Sequence, residues 1–293
     1  MRLCRFSENS TPDTIQIGLF EDNAVRPFAE PPSTDLLDFL PGGGHADWAN
    51  SLADLPSLPV ESVTLHVPNP EPKKLFLLAG NYAAHIEEGG GIAAERAETF
   101  PYVFMKPPTT TLIGAGAPVK IPAVSPDHID WELELGVVIG KGGKGISEAD
   151  ALDHVAGYTV FNDISDRQFR PNPNRTERSR DGFFDWLHGK WHDSSCPCGP
   201  CIASAETLTE PQCLDMKLSV NGEIFQEAST AQQIFPVAAV IEFISSFVTL
   251  ERGDMISTGT AAGVGATTAT YLKSGDKIEA TIESIGTLVS PVE

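Results

Sequence analysis

The stretch from Ile129 to Gly140 constrains the fold most, because it has the character of a core strand but carries two carboxylates. We predict a single strand there. Side chains alternate across a strand, so Glu132 and Glu134 share one face, and Trp131 and Leu133 share the other. Buried carboxylates need a paired charge, and one hard cation relieves both their repulsion and their desolvation. The stretch indicates either a divalent metal site or an antiparallel strand with one solvated face.

Length and charge limit the classes of function. The chain has 293 residues, of which 41% are hydrophobic, so it can bury a large core. It carries 40 acidic against 20 basic residues, for a formal net charge of −20. This charge repels nucleic acid and anionic membranes, and we predict neither as a partner. An anionic substrate then needs a local positive patch or a metal.

The lack of a recognisable targeting signal and the number of cysteines both indicate a reducing compartment. No apolar run is long enough to span a bilayer, and the first residues lack the apolar core of a secretory signal, so we predict a cytoplasmic protein. The five cysteines, an odd number, suit reduced thiols. Cys196, Cys198 and Cys201 cluster around two prolines that suggest a rigid turn. A zinc or iron–sulfur site and simple buried thiols both remain open there.

A proline-rich linker at Pro68–Pro72 predicts two domains: a small N-terminal domain over 1–70 and a catalytic domain over 71–293. Early in the second, His85 and Glu88 stand three residues apart on a predicted helical turn. The carboxylate can orient the imidazole and raise its basicity, which makes the pair a candidate acid/base dyad. Solvated neighbours on a surface helix are the alternative.

Three further segments carry candidate chemistry. The apolar strand from Ala156 ends on Asp163, where a third carboxylate can meet the first two. The segment after it is basic and forms either a solvated loop or a lid that gathers carboxylates. The glycine-rich run from Thr258 to Gly265 offers hydroxyl and backbone N–H groups that could grip a carboxylate. The arginines of the basic segment are Arg167, Arg170, Arg175, Arg178 and Arg180.

Local patterns also predict a hairpin and a core helix. The Asn221-Gly222 pair joins a strand at Met216–Val220 to a strand at Glu223–Gln226. Apolar residues at helical spacing over Ile234–Val248 predict a helix packed on that sheet.

Taken together, the segments from about residue 73 to the end resemble the fumarylacetoacetate hydrolase family, in its longer members with an extra N-terminal domain. The motifs that carry the resemblance are Gly80-Asn-Tyr-x-x-His85-x-x-Glu88, Phe104-x-Lys-Pro107, Trp131-Glu-x-Glu-Leu135, Ala156-Gly-Tyr-Thr-x-x-Asn-Asp163, Gly189-Lys190, Cys196-Pro-x-Gly-Pro200, Val220-Asn-Gly222, Ile234-Phe-Pro236, Thr258-Gly-Thr260 and Gly263-Val-Gly265. The resemblance implies an α+β, predominantly β fold: a mixed β-sandwich roll or barrel with a small N-terminal α+β domain, assembled as a homodimer.

The resemblance also implies roles for individual residues. It places Mg²⁺ or Mn²⁺ on Glu132, Glu134 and Asp163, and catalysis on His85, Glu88 and Lys190. The residues that it assigns to the substrate are Tyr82, Arg167, Arg170, Thr258, Gly259 and Thr260. Two departures concern the substrate: Ala261 replaces a common proline, and Arg170 stands where many members have glutamine.

From these residues we expect a metal-dependent hydrolase that cleaves a C–C bond in a 2,4-dioxo acid such as an acylpyruvate, through a metal-stabilised enolate. The alternative is a lyase of the same family: an oxaloacetate decarboxylase, a 2-keto-3-deoxy acid dehydratase or a 2-oxo-enoate hydratase. A small-molecule binding protein on the same scaffold is the non-enzymatic alternative.

Overall fold

Strands dominate the computed structural model, which describes residues 1–48 and 56–293. The strands are β1 (Arg2–Glu8), β2 (Gln16–Phe20), β3 (Ala24–Pro27), β4 (Leu58–Pro59), β5 (Val63–His66), β6 (Leu75–Ala79), β7 (Tyr102–Met105), β8 (Leu112–Ile113), β9 (Ile129–Asp130), β10 (Leu133–Ile139), β11 (Val155–Asn162), β12 (Ser165–Asp166), β13 (Cys196–Ser204), β14 (Asp215–Val220), β15 (Glu223–Ser229), β16 (Met255–Thr260), β17 (Lys277–Ile282) and β18 (Gly286–Pro291). The α-helices are α1 (Ala83–Glu88), α2 (Pro108–Thr111), α3 (Asp181–Gly189) and α4 (Val237–Phe247). Short 3-10 helices lie at Leu36–Phe39, Val60–Ser62, Arg96–Glu98, Glu148–His154, Thr230–Gln232 and Gly265–Thr267.

One large mixed sheet organises the described residues. Its strands run in the order β4-β3-β2-β1-β13-β11-β10-β16-β6-β7, with β5 added on β1 and β8 on β13. The pairs β6–β16 and β8–β13 are parallel, and the other neighbours are antiparallel. A four-stranded sheet in the order β15-β14-β17-β18 and a small β9–β12 ladder complete the fold. The predicted α+β, predominantly β class is confirmed.

The N-terminal strands join the large sheet through β1. Arg2 pairs with Ala203 and Leu3 with Ile202, so β1 lies directly against β13. Residues of the predicted domain 1–70 and of the predicted domain 71–293 therefore share one hydrogen-bonded sheet. The boundary near residue 70 stays a prediction.

The centre of the large sheet is covered on both faces. Every residue of β10 and β11 is buried, and so is every residue of β13. An antiparallel strand with one solvated face, the alternative considered for Glu134, is therefore wrong. Its carboxylate lies in the interior, where an ionised group needs a partner.

The predicted single strand over 129–140 is divided into β9 and β10, with Trp131 and Glu132 between them. Side chains replace the missing strand partners at this break. Asp130 Oδ1 accepts from Trp131 N at 2.8 Å, and Asn162 Oδ1 accepts from Glu132 N at 2.9 Å. Gln226 Oε1 accepts from the next backbone N–H at 2.9 Å. The local alternation pattern cannot reveal these partners, because all but one of them come from other parts of the chain.

The cysteine-rich segment is a strand and not the predicted turn, because its backbone joins the ladder with β11 and β8. Cys196, Cys198 and Cys201 are fully buried free thiols in β13. Burial raises the pKa of each thiol, to about 12 for Cys198, which disfavours the thiolate that zinc requires. Of the alternatives considered, buried thiols fit the structure.

The hairpin and the helix follow the sequence pattern closely. Asn221 and Gly222 have φ of 52° and 85°, the left-handed conformations of a two-residue turn between β14 and β15. The core helix predicted over 234–248 is α4. None of the helices within residues 1–48 and 56–293 is long and apolar enough to cross a membrane.

Replacement of Gly136 tests the packing of β10 against β11. A Cβ atom at this position meets the Phe161 ring at 2.4 Å and the Thr159 methyl group at 2.8 Å. We expect Gly136→Ala to lower the free energy of unfolding by about 1–3 kcal/mol through overpacking. Denaturant titration measures the change. Gly182→Ala is the control, since a Cβ there meets nothing within 4 Å; equal losses in both variants would contradict the packing.

Candidate metal centre

Three buried carboxylates meet where β10 and β11 pair. Glu132 precedes β10, Glu134 lies in it, and Asp163 follows β11, whose Asn162 pairs with Leu133. Asp163 N donates to the backbone oxygen of Glu132 at 2.8 Å. One oxygen from each carboxylate lies within 4.8 Å of the other two. The structure therefore brings together the three residues predicted as metal ligands.

Glu134 supplies the clearest indication that a cation fits here. Its Oε2 accepts from Ser257 Oγ at 2.6 Å and from Gly259 N at 2.8 Å, which fixes the carboxylate. Its Oε1 is buried without a hydrogen-bond partner. Burial, followed by the charges of Asp163 and Glu132, raises the pKa of Glu134 well above its usual value. A hard divalent cation suits an all-oxygen ligand set and gives Oε1 the partner it lacks.

Two basic side chains hold Glu132. Lys190 Nζ donates to Glu132 Oε2 at 2.8 Å and to Asp163 Oδ2 at 2.7 Å. Arg167 pairs with Glu132 Oε1 at 2.7 Å. Burial opposes ionisation, but Lys190 and then Arg167 lower the pKa of Glu132 far below its usual value. Burial also opposes the charge on Lys190, while Asp163 and Glu132 raise its pKa.

Lys106 is a second buried lysine at the centre, and the sequence analysis assigned it no role. Its Nζ lies 2.5 Å from Asp163 Oδ1 and donates to the backbone oxygens of Ile164 and Ser195 at 2.9 and 2.6 Å. The signal was its position directly after β7, within the Phe104-x-Lys-Pro107 motif. With Glu134 ionised, the three carboxylates face the cations of Lys106, Lys190 and Arg167, and Arg167 is shared with the neighbouring Asp130.

The predicted His85–Glu88 dyad forms on α1. His85 Nδ1 lies 2.7 Å from Glu88 Oε1, and Glu88 Oε2 accepts from Gly263 N at 2.8 Å. The two side chains are 20% and 18% exposed, so they are more than solvated surface neighbours. With Nδ1 facing Glu88, Nε2 is the ring nitrogen left to exchange a proton.

The Thr258-Gly-Thr260 segment uses its polar groups within the chain. Thr258 and Thr260 donate their hydroxyls to backbone oxygens of β10 at 2.9 Å and accept from Gln233 and Gln226 at 2.7 and 2.8 Å. The Gly259 N–H already serves Glu134. These bonds fix β16 against β10, and a contact between this segment and substrate stays a prediction.

Two more residues predicted to bind substrate lie elsewhere. The Tyr82 side chain is buried, with its hydroxyl 3.3 Å from Met216 Sδ. Arg170 is exposed and paired with Glu177. Neither contacts the carboxylate cluster, so their roles stay predictions, whereas Arg167 reaches Glu132.

The basic segment gathers carboxylates, and apart from the partners of Arg167 the described ones belong to the segment itself or to α3. Arg175 binds Asp185 through two nitrogens and also pairs with Asp181 at 3.1 Å. Arg178 donates Nε to Asp181 Oδ1 at 2.9 Å. Of the five arginines, Arg167 is the one whose described contacts reach the candidate metal centre, and a lid formed by this segment stays a prediction.

Comparisons with known proteins agree with this geometry. Residues 74–293 match the family model described as fumarylacetoacetate (FAA) hydrolase C-terminal. Oxaloacetate tautomerase fahd2, mitochondrial, from Xenopus laevis is 35% identical over 303 residues, which cover 100% of this chain and 90% of that protein.

Two solved structures share the fold over the whole chain. Fumarylacetoacetate hydrolase from Exiguobacterium antarcticum has a TM-score of 0.81 and 29% identity, covering 100% of this chain and 99% of that one. Maleylpyruvate hydrolase from Sphingobium sp. SYK-6, solved with manganese (II) and pyruvate, has a TM-score of 0.74 and 26% identity, covering 100% and 98%. The predicted fold is therefore confirmed, and a divalent metal at the carboxylates is supported.

Replacement of Glu134 tests the metal centre. Residues that only support a metal ligand typically contribute about 10–100-fold to metal affinity. We expect Glu134→Gln to weaken Mg²⁺ binding by more than this, because the substitution removes both a ligand oxygen and a negative charge. Titration calorimetry measures the affinity. Glu223→Gln, at the exposed first residue of β15, is the control. Equal Mg²⁺ affinity in the two variants would show that Glu134 is not a metal ligand.

The raised pKa of Glu134 predicts a pH dependence of metal binding. Below that pKa the carboxylate holds a proton, which the cation must displace. Mg²⁺ affinity should therefore rise as pH increases through this pKa, and Glu134→Gln should lose that part of the pH dependence. Calorimetry over a pH series measures it; the same pH profile in both proteins would contradict the assignment.

Proposed function

Since the chain belongs to the fumarylacetoacetate hydrolase family, we propose that it is an oxaloacetate tautomerase that uses Mg²⁺ or Mn²⁺ to interconvert the keto and enol forms of its substrate. The observation that carries the proposal is the His85–Glu88 pair, 2.7 Å apart on α1, where Glu88 also accepts from Gly263 N in the segment that follows β16. The proposal is also supported by the relative from Xenopus laevis, an oxaloacetate tautomerase that this chain matches along its whole length.

The charges at the centre favour an anionic substrate. Glu132, Glu134, Asp163 and the neighbouring Asp130 carry four negative charges against the three positive charges of Lys106, Lys190 and Arg167, so a bound divalent cation leaves one net positive charge. A 2-oxo acid such as oxaloacetate brings the negative charge that offsets it. This balance matters because the net charge of −20 repels anions from the rest of the surface.

In this mechanism the chain moves one proton between C3 and an oxygen of the substrate. His85 Nε2 takes a proton from C3, the electron pair of the C–H bond forms the C2–C3 double bond, the carbonyl π pair moves to the 2-oxo oxygen, and the imidazolium returns a proton to that oxygen. Glu88 holds Nδ1 and stabilises the transient imidazolium. A bound divalent ion supplies Lewis-acid stabilisation of the charge that develops on the 2-oxo oxygen. Lys190, held between Glu132 and Asp163, adds a buried positive charge to the centre.

Hydrolysis of an acylpyruvate is the second candidate. Here His85 takes a proton from water, and the resulting hydroxide attacks the C4 carbonyl. The C3–C4 bond then breaks to give a carboxylic acid and the enolate of pyruvate, whose C3 takes the proton back from the imidazolium. The maleylpyruvate hydrolase from Sphingobium sp. SYK-6, solved with manganese (II) and pyruvate, favours this reaction. Oxaloacetate decarboxylation is the lyase form of the same enolate chemistry. A homodimer and a cytoplasmic location stay predictions.

A substrate panel separates these reactions. We expect the enol signal of oxaloacetate in the ultraviolet to relax faster with the protein and Mg²⁺ than without protein, and EDTA to abolish the difference. Acylpyruvates and 2-keto-3-deoxy acids serve in parallel, with pyruvate release as the readout of hydrolysis. Turnover of acylpyruvate with no effect on oxaloacetate would contradict the tautomerase assignment and favour the hydrolase.

Replacement of His85 tests the dyad. We expect His85→Gln to lower kcat by about 10²–10⁴-fold, the usual contribution of a general acid or base, and to leave Mg²⁺ affinity unchanged. Stopped-flow absorbance gives the rate and calorimetry the affinity. His154→Gln, at an exposed ring bonded to the Lys141 backbone oxygen, is the control. A His85→Gln variant as fast as the control would remove the dyad from the mechanism.

A further inference from the structure

Asp130 is a fourth buried carboxylate beside the candidate metal centre. Its Oδ1 accepts from the backbone N–H groups of Trp131 and Gly265 at 2.8 and 2.7 Å. Its Oδ2 accepts from Ala266 N at 3.0 Å and from Arg167 Nε at 2.7 Å. The Asp130 side chain is fully buried. Arg167 is the one charged partner that the described contacts give it.

Arg167 spans two carboxylates. Its Nε faces Asp130 and its Nη2 lies 2.7 Å from Glu132 Oε1. A guanidinium keeps its charge in proteins, so it cannot lose a proton to relieve crowding with a second cation. A divalent ion at Glu132 must therefore share that carboxylate with Arg167. How strongly Arg167 repels the ion depends on how far its charge is offset from the other side.

We propose that Asp130 is a positioning residue that holds Arg167 and offsets its charge, so that Glu132 can bind a divalent cation while it stays in contact with Arg167. The proposal rests on the metal centre of the proposed function. In this proposal Asp130 binds neither the ion nor the substrate, and it changes the affinity of the centre for the divalent cation through Arg167.

Asp130 also fixes the loop that orients the dyad. The Gly263–Ala266 segment donates two N–H groups to Asp130, and its Gly263 N donates to Glu88. A Cβ at Gly265 meets Asp130 Oδ1 at 2.8 Å and the Thr270 backbone oxygen at 2.0 Å, so this close approach requires glycine. One carboxylate thus holds Arg167 on the metal side and the loop on the dyad side.

A double-mutant cycle on metal affinity tests the proposal. In the otherwise unchanged protein, Asp130→Asn should weaken Mg²⁺ binding about tenfold, within the range of couplings between contacting residues. In an Arg167→Gln background, the same substitution should change the affinity less than about twofold, because the charge that Asp130 offsets is gone. Calorimetry with Mg²⁺ alone measures all four proteins. Equal weakening in both backgrounds would overturn the proposal.

Asp254→Asn is the matched control for loss of a buried carboxylate. Asp254 is also fully buried, accepts from Lys74 N and Glu251 N at 3.1 and 2.7 Å, and pairs with Lys74 Nζ at 2.9 Å. It precedes Met255, which pairs with Val138 toward the other end of β10. We expect Asp254→Asn to lower thermal stability and leave Mg²⁺ affinity unchanged. An Asp130→Asn protein with no greater loss of affinity than this control would contradict the proposal.

Arg167→Gln alone keeps the proposal testable if Asp130→Asn does not fold. Removing the guanidinium should tighten Mg²⁺ binding several-fold, since the competing cation is lost and Asp130 keeps its charge. Weaker binding would overturn the proposal. The titrations need no substrate, so an unchanged protein that binds Mg²⁺ but turns over no 2-oxo acid would contradict the proposed function alone.

Discussion

Mutual repulsion among buried carboxylates is the constraint on which the centre of this protein depends. Glu132, Glu134 and Asp163 are all buried where β10 and β11 meet, and such a cluster is costly without cations. The chain supplies Lys106, Lys190 and Arg167 as direct partners. These leave Glu134 Oε1 without a partner, which is the place that a divalent ion suits.

The same demand explains the glycine-rich stretch from Gly259, within β16, to Gly265, which follows that strand. Its N–H groups serve the chain's own carboxylates: Gly259 serves Glu134, Gly263 serves Glu88, and Gly265 serves Asp130. Metal ligand, dyad and charge-balancing residue are thus fixed by one short stretch of backbone. A site that exchanges a single proton needs this rigidity, because small displacements of a catalytic group are costly.

The sequence predicted those residues of the centre whose positions follow a local pattern of alternation or helical spacing. Alternation placed Glu132 and Glu134 together, the end of an apolar strand gave Asp163, and helical spacing paired His85 with Glu88. The sequence did not reveal the roles of Lys106 and Asp130, because their charged partners lie far along the chain and only the strand order brings them near. The same holds for the break at Trp131 and for the cysteine segment, where tertiary hydrogen bonds outweigh local turn preference.

The account's central claim is that the three carboxylates form a divalent metal centre in which Glu134 Oε1 is a ligand. Anomalous diffraction from crystals grown with Mn²⁺ tests it most directly. We predict one manganese peak within coordinating distance of Glu132, Glu134 Oε1 and Asp163. No peak at saturating Mn²⁺, or a peak on other residues, would contradict the claim.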